Sequence, residues 1–265
     1  MCELFALSGS LATTISLSME RLARHSDHAG HLSDGWGIGF YDGPDVRLFR
    51  EPEAASDSVW VRFIGEQQIR SRLVVSHLRH ATQGEVSLRN TQPFARELGG
   101  RMHLFAHNGR LPGIEQRLEG AGQRHAAIGS TDSEIAFCAL LDRLRPLWVA
   151  GSPTLEARLA VVSGLARELR QLGPANFLYA DGELLIAHGH RRLQADGSTA
   201  APGLHMLHRE CAIDPDALAV AGVEIGDLQS VTLCASVPLT QDTWIALAEG
   251  ETVVLRHGAM VARTT

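Results

Sequence analysis

Cys2 follows Met1 directly and is small enough for the methionine to be trimmed. Trimming would leave a thiol and an α-amine on one residue. The amine has an ordinary pKa of about 7.7–8.0, so much of it is neutral near physiological pH. An amine base beside its own nucleophile is one way to activate a thiol for acyl transfer. A cysteine at position 2 is by itself more often a chance placement, so the polar motifs downstream carry the reading. In His77-Leu78-Arg79-His80-Ala81-Thr82-Gln83-Gly84, Arg79 either pairs with a surface acid or grips a carboxylate through its planar fork. Ala106-His107-Asn108-Gly109 is either a turn or an oxyanion hole. In the second case the Asn108 amide and the Gly109 backbone N–H point at a developing negative charge. Gly129-Ser130-Thr131-Asp132-Ser133-Glu134 caps a helix, and a carboxylate exposed there, Asp132, can also hold an ammonium group. Together these residues supply what a free amino acid with a side-chain amide needs: a carboxylate anchor, an ammonium anchor, an oxyanion hole and a nucleophile.

Strands and helices must bring these motifs together. Glu3 to Leu7 reads as a strand that buries the N-terminus in a sheet. Ser16 to His25 reads as a short helix, and Ser58 to Gln68 as another. Trp36 to Tyr41 and Val46 to Arg50 flank Asp42-Gly43-Pro44-Asp45 and predict a hairpin. Leu73 to Leu78 and Met102 to Ala106 have strand character. Thr131-x-x-Glu134 is a capping-box pattern ahead of Phe137, Leu140, Leu141 and Leu144 at helical spacing. A second helix is predicted from about Ser152-Pro153 to Gly173-Pro174, with Leu155, Leu159, Val162, Ala166 and Leu169 on its apolar stripe. Asn176 to Tyr179, Leu184 to His188, Val231 to Ala235 and Thr252 to Leu255 read as further strands, and Arg191 to Gly203 as an exposed loop. Strands, then two helices, then strands predict a layered α+β fold in which helices cover a largely antiparallel sheet system.

Composition narrows the class. A net charge of -6 argues against nucleic acid or an anionic membrane as main partner. Four cysteines without C-x-x-C spacing fit free thiols in a reducing cytoplasm. The N-terminus lacks the basic start of a signal peptide, and no run of about 18 apolar residues predicts a membrane span. Asp34-Gly35-Trp36-Gly37-Ile38-Gly39 predicts either a close-packed wall near the nucleophile or a strand crossed by another backbone. It is not a dinucleotide fingerprint, because no helix pattern follows it. His25-x-x-His28-x-x-His31 lacks a carboxylate or cysteine companion and reads as a solvated loop rather than a metal site. His103 and His107 share a strand face without helical ligand geometry, and His188-x-His190 lacks companions. Cys138 reads as a core thiol, while Cys211 and Cys234 carry no motif.

Met1-Cys2, Asp34-Gly35-Trp36-Gly37, His77-x-Arg79-x-Ala81-Thr82-x-Gly84, His107-Asn108-Gly109 and Thr131-Asp132-Ser133-Glu134 occur in the order seen in class II glutamine amidotransferases. The chain resembles most the short, stand-alone YafJ-like group of that family. Weaker similarity, including Ala235-Ser236-Val237-Pro238-Leu239-Thr240, extends almost to the C-terminus. The resemblance implies an N-terminal-nucleophile hydrolase of four αββα layers, with two antiparallel sheets between helical layers, as one domain over 2–265 with Met1 removed. It implies Cys2 as nucleophile with its own amine as base, and Asn108 and Gly109 as oxyanion hole. It further implies Arg79, with Thr82 nearby, on the substrate α-carboxylate and Asp132 on the α-ammonium. No cofactor and no metal are implied. His80 stands where larger members often carry tryptophan, and Gln83 replaces a histidine common in some of them. Three functions are then expected to compete: a glutaminase delivering ammonia to a separate synthase subunit, a hydrolase of another γ-glutamyl amide, and a non-catalytic regulatory module. Retention of Cys2, Arg79, Asn108, Gly109 and Asp132 together weighs against the third.

Overall fold

The computed structural model describes residues 2–15, 33–80, 84–118, 124–210, 223–224 and 229–265. The expected helix from Ser16 to His25, the histidines His25, His28 and His31, Thr82 and Cys211 lie outside the described residues. Two antiparallel sheets dominate. The larger runs, edge to edge, through β14 (Ile245–Ala246), β11 (His205–Glu210), β13 (Ser230–Ala235), β1 (Glu3–Ile15), β4 (Arg70–Arg79), β2 (Gly35–Asp42) and β3 (Asp45–Glu51). β12 (Val223–Glu224) pairs with the far end of β1. The smaller runs through β16 (Ala259–Thr264), β15 (Thr252–Arg256), β8 (Leu185–His188), β7 (Ala175–Ala180), β6 (Arg101–Gly109) and β5 (Phe94–Leu98). β9 (Arg192–Leu193) and β10 (Thr199–Ala200) form a separate two-stranded ladder. Among the described residues the α-helices are α1 (Val59–Gln67), the single turn α2 (Ile114–Arg117), α3 (Asp132–Val149) and α4 (Leu155–Leu169).

Side-chain alternation along the strands generates the layers. In β1, Leu4 and Ala6 enter the space between the sheets beside Val75, Leu104, Ala106 and Leu178. Phe5 and Leu7 point the other way, onto Trp36, Ile38 and Phe40, and α1 covers that face with Val61 and Ile64. The outer face of the smaller sheet carries Phe105, Phe177 and Tyr179, covered by Phe137, Leu140 and Leu144 of α3 and Val162, Leu165 and Leu169 of α4. The order is helix, sheet, sheet, helix, as expected. A strand apolar on both faces, such as Glu3-Leu-Phe-Ala-Leu7, is what such a sandwich requires of a central strand.

Within the described residues, local expectations are met with two corrections. Ser58 caps α1, accepting from the Trp60 and Val61 N–H groups at 3.1 and 3.2 Å. The second long helix starts at Leu155, not at Ser152-Pro153. Its cap is Thr154, whose hydroxyl accepts from Ala157 N–H at 3.2 Å. It ends at Leu169, leaving Gly173-Pro174 to the following turn. Residues 191–203 are not simply an exposed loop, because they hold the β9–β10 ladder and the buried Arg192.

The glycine-rich strand β2 is crossed by another backbone, the second of the two expected arrangements. A Cβ on Gly37 would sit 2.3 Å from the Gln92 carbonyl oxygen and 2.8 Å from Arg50 Cγ. A Cβ on Gly39 would sit 2.5 Å from Leu104 Cδ1. Forcing extra volume into a packed interior costs about 1–3 kcal/mol. Gly37→Ala is therefore expected to lower the melting temperature by roughly 2–4 °C per kcal/mol lost, for a chain of this size. A thermal melt of Gly37→Ala that overlays the parent curve would contradict this packing.

Candidate active site

The same alternation that builds the layers gathers the site. Cys2 lies two residues before Leu4, Arg79 four after Val75, and Asn108 two after Ala106, and all three neighbours fill the inter-sheet core. The three polar side chains thus emerge on one side, at one end of the sandwich, where the apolar filling stops.

Cys2 is half-buried. Its thiol donates to the His80 carbonyl at 3.3 Å, and its sulfur accepts from the His80 N–H at 3.2 Å. Burial pushes the thiol pKa up, opposed by the His80 peptide and by the nearby Arg79 charge. A buried thiol with a raised pKa needs a base to become a nucleophile. Arg79 ends β4 opposite Gly35 and is almost fully buried, with Nη2 donating to the Gly84 carbonyl at 3.2 Å. Burial lowers its pKa, while the Cys2 and Asp34 side chains, both electrostatic neighbours, raise it.

Asn108 donates from Nδ2 to the Cys2 main-chain oxygen at 2.6 Å. This bond links β6 of the smaller sheet to the residue just before β1, 106 positions away. Gly109 faces Ala175 in the ladder, and a Cβ there would lie 1.8 Å from the Pro174 carbonyl oxygen. Only glycine fits. Asp132 is the first residue of α3. Its Oδ2 accepts from Leu111 N–H at 2.7 Å, just past Gly109, and its Oδ1 accepts from Ser133 N–H at 2.7 Å. His107 Nδ1 lies 2.8 Å from the Ser133 hydroxyl, so the oxyanion motif and the Asp132 motif touch directly. The capping box is half formed: Thr131 Oγ1 accepts from Glu134 N–H at 3.3 Å. The Glu134 carboxylate turns instead to Ile128 N–H at 3.1 Å, Gly129 N–H at 2.6 Å and the Arg96 guanidinium. That ion pair outcompetes the reciprocal cap because it is charge-assisted and buried.

Cys2, Arg79, Asn108, Gly109 and Asp132 thus lie on connected segments of one region, while Thr82 lies outside the described residues. Sequence reading missed the side chains that hold those segments. Asn90, fully buried, accepts from Ser130 N–H at 2.8 Å and donates to the Glu85 carbonyl at 3.1 Å. It ties the loop after Arg79 to the loop before Asp132. Gln92 accepts from His107 N–H at 2.6 Å and donates to the His107 carbonyl at 3.2 Å. His103 bonds the Tyr179 hydroxyl at 2.7 Å and the Leu98 carbonyl at 3.0 Å, which makes it a core residue. Cys138 and Cys234 are buried free thiols. Among the described residues, no group of three or more His, Cys, Asp or Glu is placed to hold a metal ion. None of their helices is long and apolar enough to cross a membrane.

Two facing antiparallel sheets clad by helices, with a cysteine at the start of a central strand, define the architecture of the N-terminal-nucleophile hydrolases. The family described as "Glutamine amidotransferases class-II" matches residues 1–265. YafJ of Escherichia coli K12, whose name assigns it to the glutamine amidotransferases, is 36% identical over 95% of this chain and 96% of its own. The crystal structure of a predicted glutamine amidotransferase from Pseudomonas aeruginosa PA01 superposes with a TM-score of 0.70 at 31% identity, covering 98% of this chain and 100% of that one. The glutamine phosphoribosylpyrophosphate amidotransferase of B. subtilis shares the fold at 18% identity and a TM-score of 0.61, over 99% of this chain and 49% of that one. The chain belongs to the class-II glutamine amidotransferases, cysteine-dependent enzymes of the N-terminal-nucleophile type.

Three buried histidines give a pH test. Burial pushes His77 and His188 down to about 3 and His103 to about 4. They stay neutral in the folded state, while the unfolded chain takes up protons below about pH 6.5. The unfolded state then binds more protons, so stability is present above about pH 6.5 and is lost as pH falls toward 4. The slope is up to about 1.4 kcal/mol per pH unit per histidine. Urea unfolding is expected to give a free energy at pH 5 lower than at pH 7 by about 2 kcal/mol or more. Equal values at the two pH values would contradict the neutral, buried assignment.

Proposed function

We propose that this enzyme hydrolyses the side-chain amide of L-glutamine, releasing ammonia and glutamate through a γ-glutamyl thioester on Cys2. The observation that carries the reading is the 2.6 Å bond from Asn108 Nδ2 to the Cys2 carbonyl. It sets an amide donor beside the nucleophile's own backbone, and the second hydrogen of that NH₂ group remains for a substrate oxygen. In this reading Met1 is removed and the Cys2 α-amine takes the thiol proton. The sulfur then bonds to the amide carbon. Charge moves onto the carbonyl oxygen, where Asn108 Nδ2–H and the Gly109 N–H receive it. The tetrahedral adduct collapses, the amine returns the proton to the leaving nitrogen, and ammonia departs. Water, deprotonated by the same amine, cleaves the thioester to give glutamate and the free thiol. Arg79 takes the substrate α-carboxylate, with Thr82 nearby. Asp132 takes the α-ammonium, its orientation supported by the Leu111 and Ser133 N–H groups.

In this reading the ammonia passes to a separate synthase subunit as its acceptor. The raised pKa of the Cys2 thiol supports the need for an adjacent base. Protein with a free Cys2 amine is expected to release ammonia and glutamate from L-glutamine, and Cys2→Ala is expected to release neither. Removing one oxyanion donor costs about 10²–10³ in kcat. Asn108→Ala is therefore expected to fold and to lose turnover by roughly that factor. Full turnover by Asn108→Ala would remove that side chain from the reaction.

A further inference from the structure

After trimming, Cys2 has no residue upstream to hold it, and chain termini fray unless tied down. Its position depends on the residues that follow it and on what grips them. Glu3 is buried, and its carboxylate pairs with Arg192 Nη2 at 2.9 Å. Arg192 Nη1 donates to the Ser236 carbonyl at 2.6 Å. Ser236 in turn takes both main-chain groups of Leu4: its N–H donates to the Leu4 carbonyl at 3.0 Å, and its hydroxyl accepts from the Leu4 N–H at 3.0 Å. One guanidinium therefore clamps the two residues that follow the nucleophile.

The other side of the same segment is fastened to the oxyanion strand. Asn176, fully buried on β7, donates from Nδ2 to the Asn108 carbonyl at 3.0 Å and to the Arg191 carbonyl at 2.7 Å. Its Oδ1 accepts from His190 N–H at 2.7 Å. Both hydrogens of its amide are committed, and the space around it is closed, since a Cβ on Gly203 would lie 1.6 Å from Asn176 Oδ1. The backbone at 190–192 is thus a strut. One end is bound to the strand that carries Asn108, and the other to Glu3 and Leu4, the first residues of β1 after Cys2.

We infer that Arg192 and Asn176 are positioning residues for the amidohydrolase reaction, fixing the separation between the Cys2 nucleophile and the Asn108 oxyanion donor. The inference rests on the reading of Cys2 as nucleophile. A buried ion pair such as Glu3–Arg192 is weak evidence for stability, because desolvation offsets most of its attraction. Holding the geometry is where it counts, since a misplacement of about 1 Å costs on the order of 10²-fold in rate. Arg192 also offsets the Glu3 carboxylate, whose charge raises the Cys2 thiol pKa.

The test uses full-length protein with the amino terminus verified by mass, as wild type, Arg192→Gln and Arg192→Lys. Lysine keeps the charge beside Glu3 but cannot bridge to the Ser236 carbonyl as well, so it supplies a second variant should glutamine at this site prevent folding. Two readouts are taken: kcat and KM for L-glutamine, and amide hydrogen exchange of the peptide spanning residues 2–7 against peptides of β6 and β7. The expected result is a kcat lower by about tenfold or more with KM within about twofold. Exchange in the N-terminal peptide is expected to be faster by about tenfold while β6 and β7 stay protected. Unchanged kcat and unchanged N-terminal exchange would overturn the inference. So would loosening of all the peptides together, which would mark a merely structural role. The exchange arm needs no substrate. If wild type fails to release ammonia, the proposed reaction fails, and exchange still judges the clamp.

Discussion

A hydrogen bond from the Asn108 side chain to the Cys2 carbonyl joins β6 of the smaller sheet to the residue that leads into β1 of the larger, at the end where the apolar filling between the sheets stops. The inter-sheet core sets its length. Leu4, Ala6, Leu104, Ala106, Leu178 and Ala180 alternate large and small side chains across the gap, and stacked sheets lie about 10 Å apart. A short amide can span from one backbone to the other only where that filling ends. In the proposed reaction the nucleophile and its oxyanion donor come from facing sheets, so the reaction geometry would follow from the packing between them.

The polar side chains near the site concentrate where strands give way to turns and backbone groups lose their ladder partners. Asn90, Gln92, Asn176 and Glu134 each return two or more such groups. An unsatisfied buried group costs about 1–3 kcal/mol, so these residues stabilise the loops while fixing their course. Glycine serves the same end by subtraction. Gly109 lets β6 lie against Pro174, and Gly129 lets the loop before Asp132 lie on Asn90, whose Oδ1 would be 2.3 Å from a Cβ. Side chains and missing side chains together bring the Arg79, Asn108 and Asp132 segments into register.

Much of this was legible in the sequence because it is local. Alternation in Glu3 to Leu7 and Met102 to Ala106, and helical spacing from Phe137 to Leu144, depend on neighbours a few positions apart. The motifs around Arg79, Asn108 and Asp132 were visible because each ends a strand or begins a helix. Asn176 and Arg192 were not, since their partners lie 68 and 189 positions away and leave no period or spacing. For the same reason residues 191–203 read as loop, although a buried arginine anchors them. Thr131-x-x-Glu134 signalled a helix start correctly, yet only tertiary structure shows Arg96 drawing Glu134 away from its reciprocal role. Ser152 and Thr154 are both competent caps, and local sequence did not choose between them.

The central claim is that the base is the α-amine of Cys2, and it is tested most directly by resolving active protein according to its first residue. Protein trimmed to Cys2 and protein retaining Met1 are separated, identified by intact mass, and assayed in parallel for ammonia release from L-glutamine. The account predicts that all turnover follows the species that begins at Cys2. Equal turnover by the species that keeps Met1 would contradict it, because that form has no amine on the nucleophile's own residue.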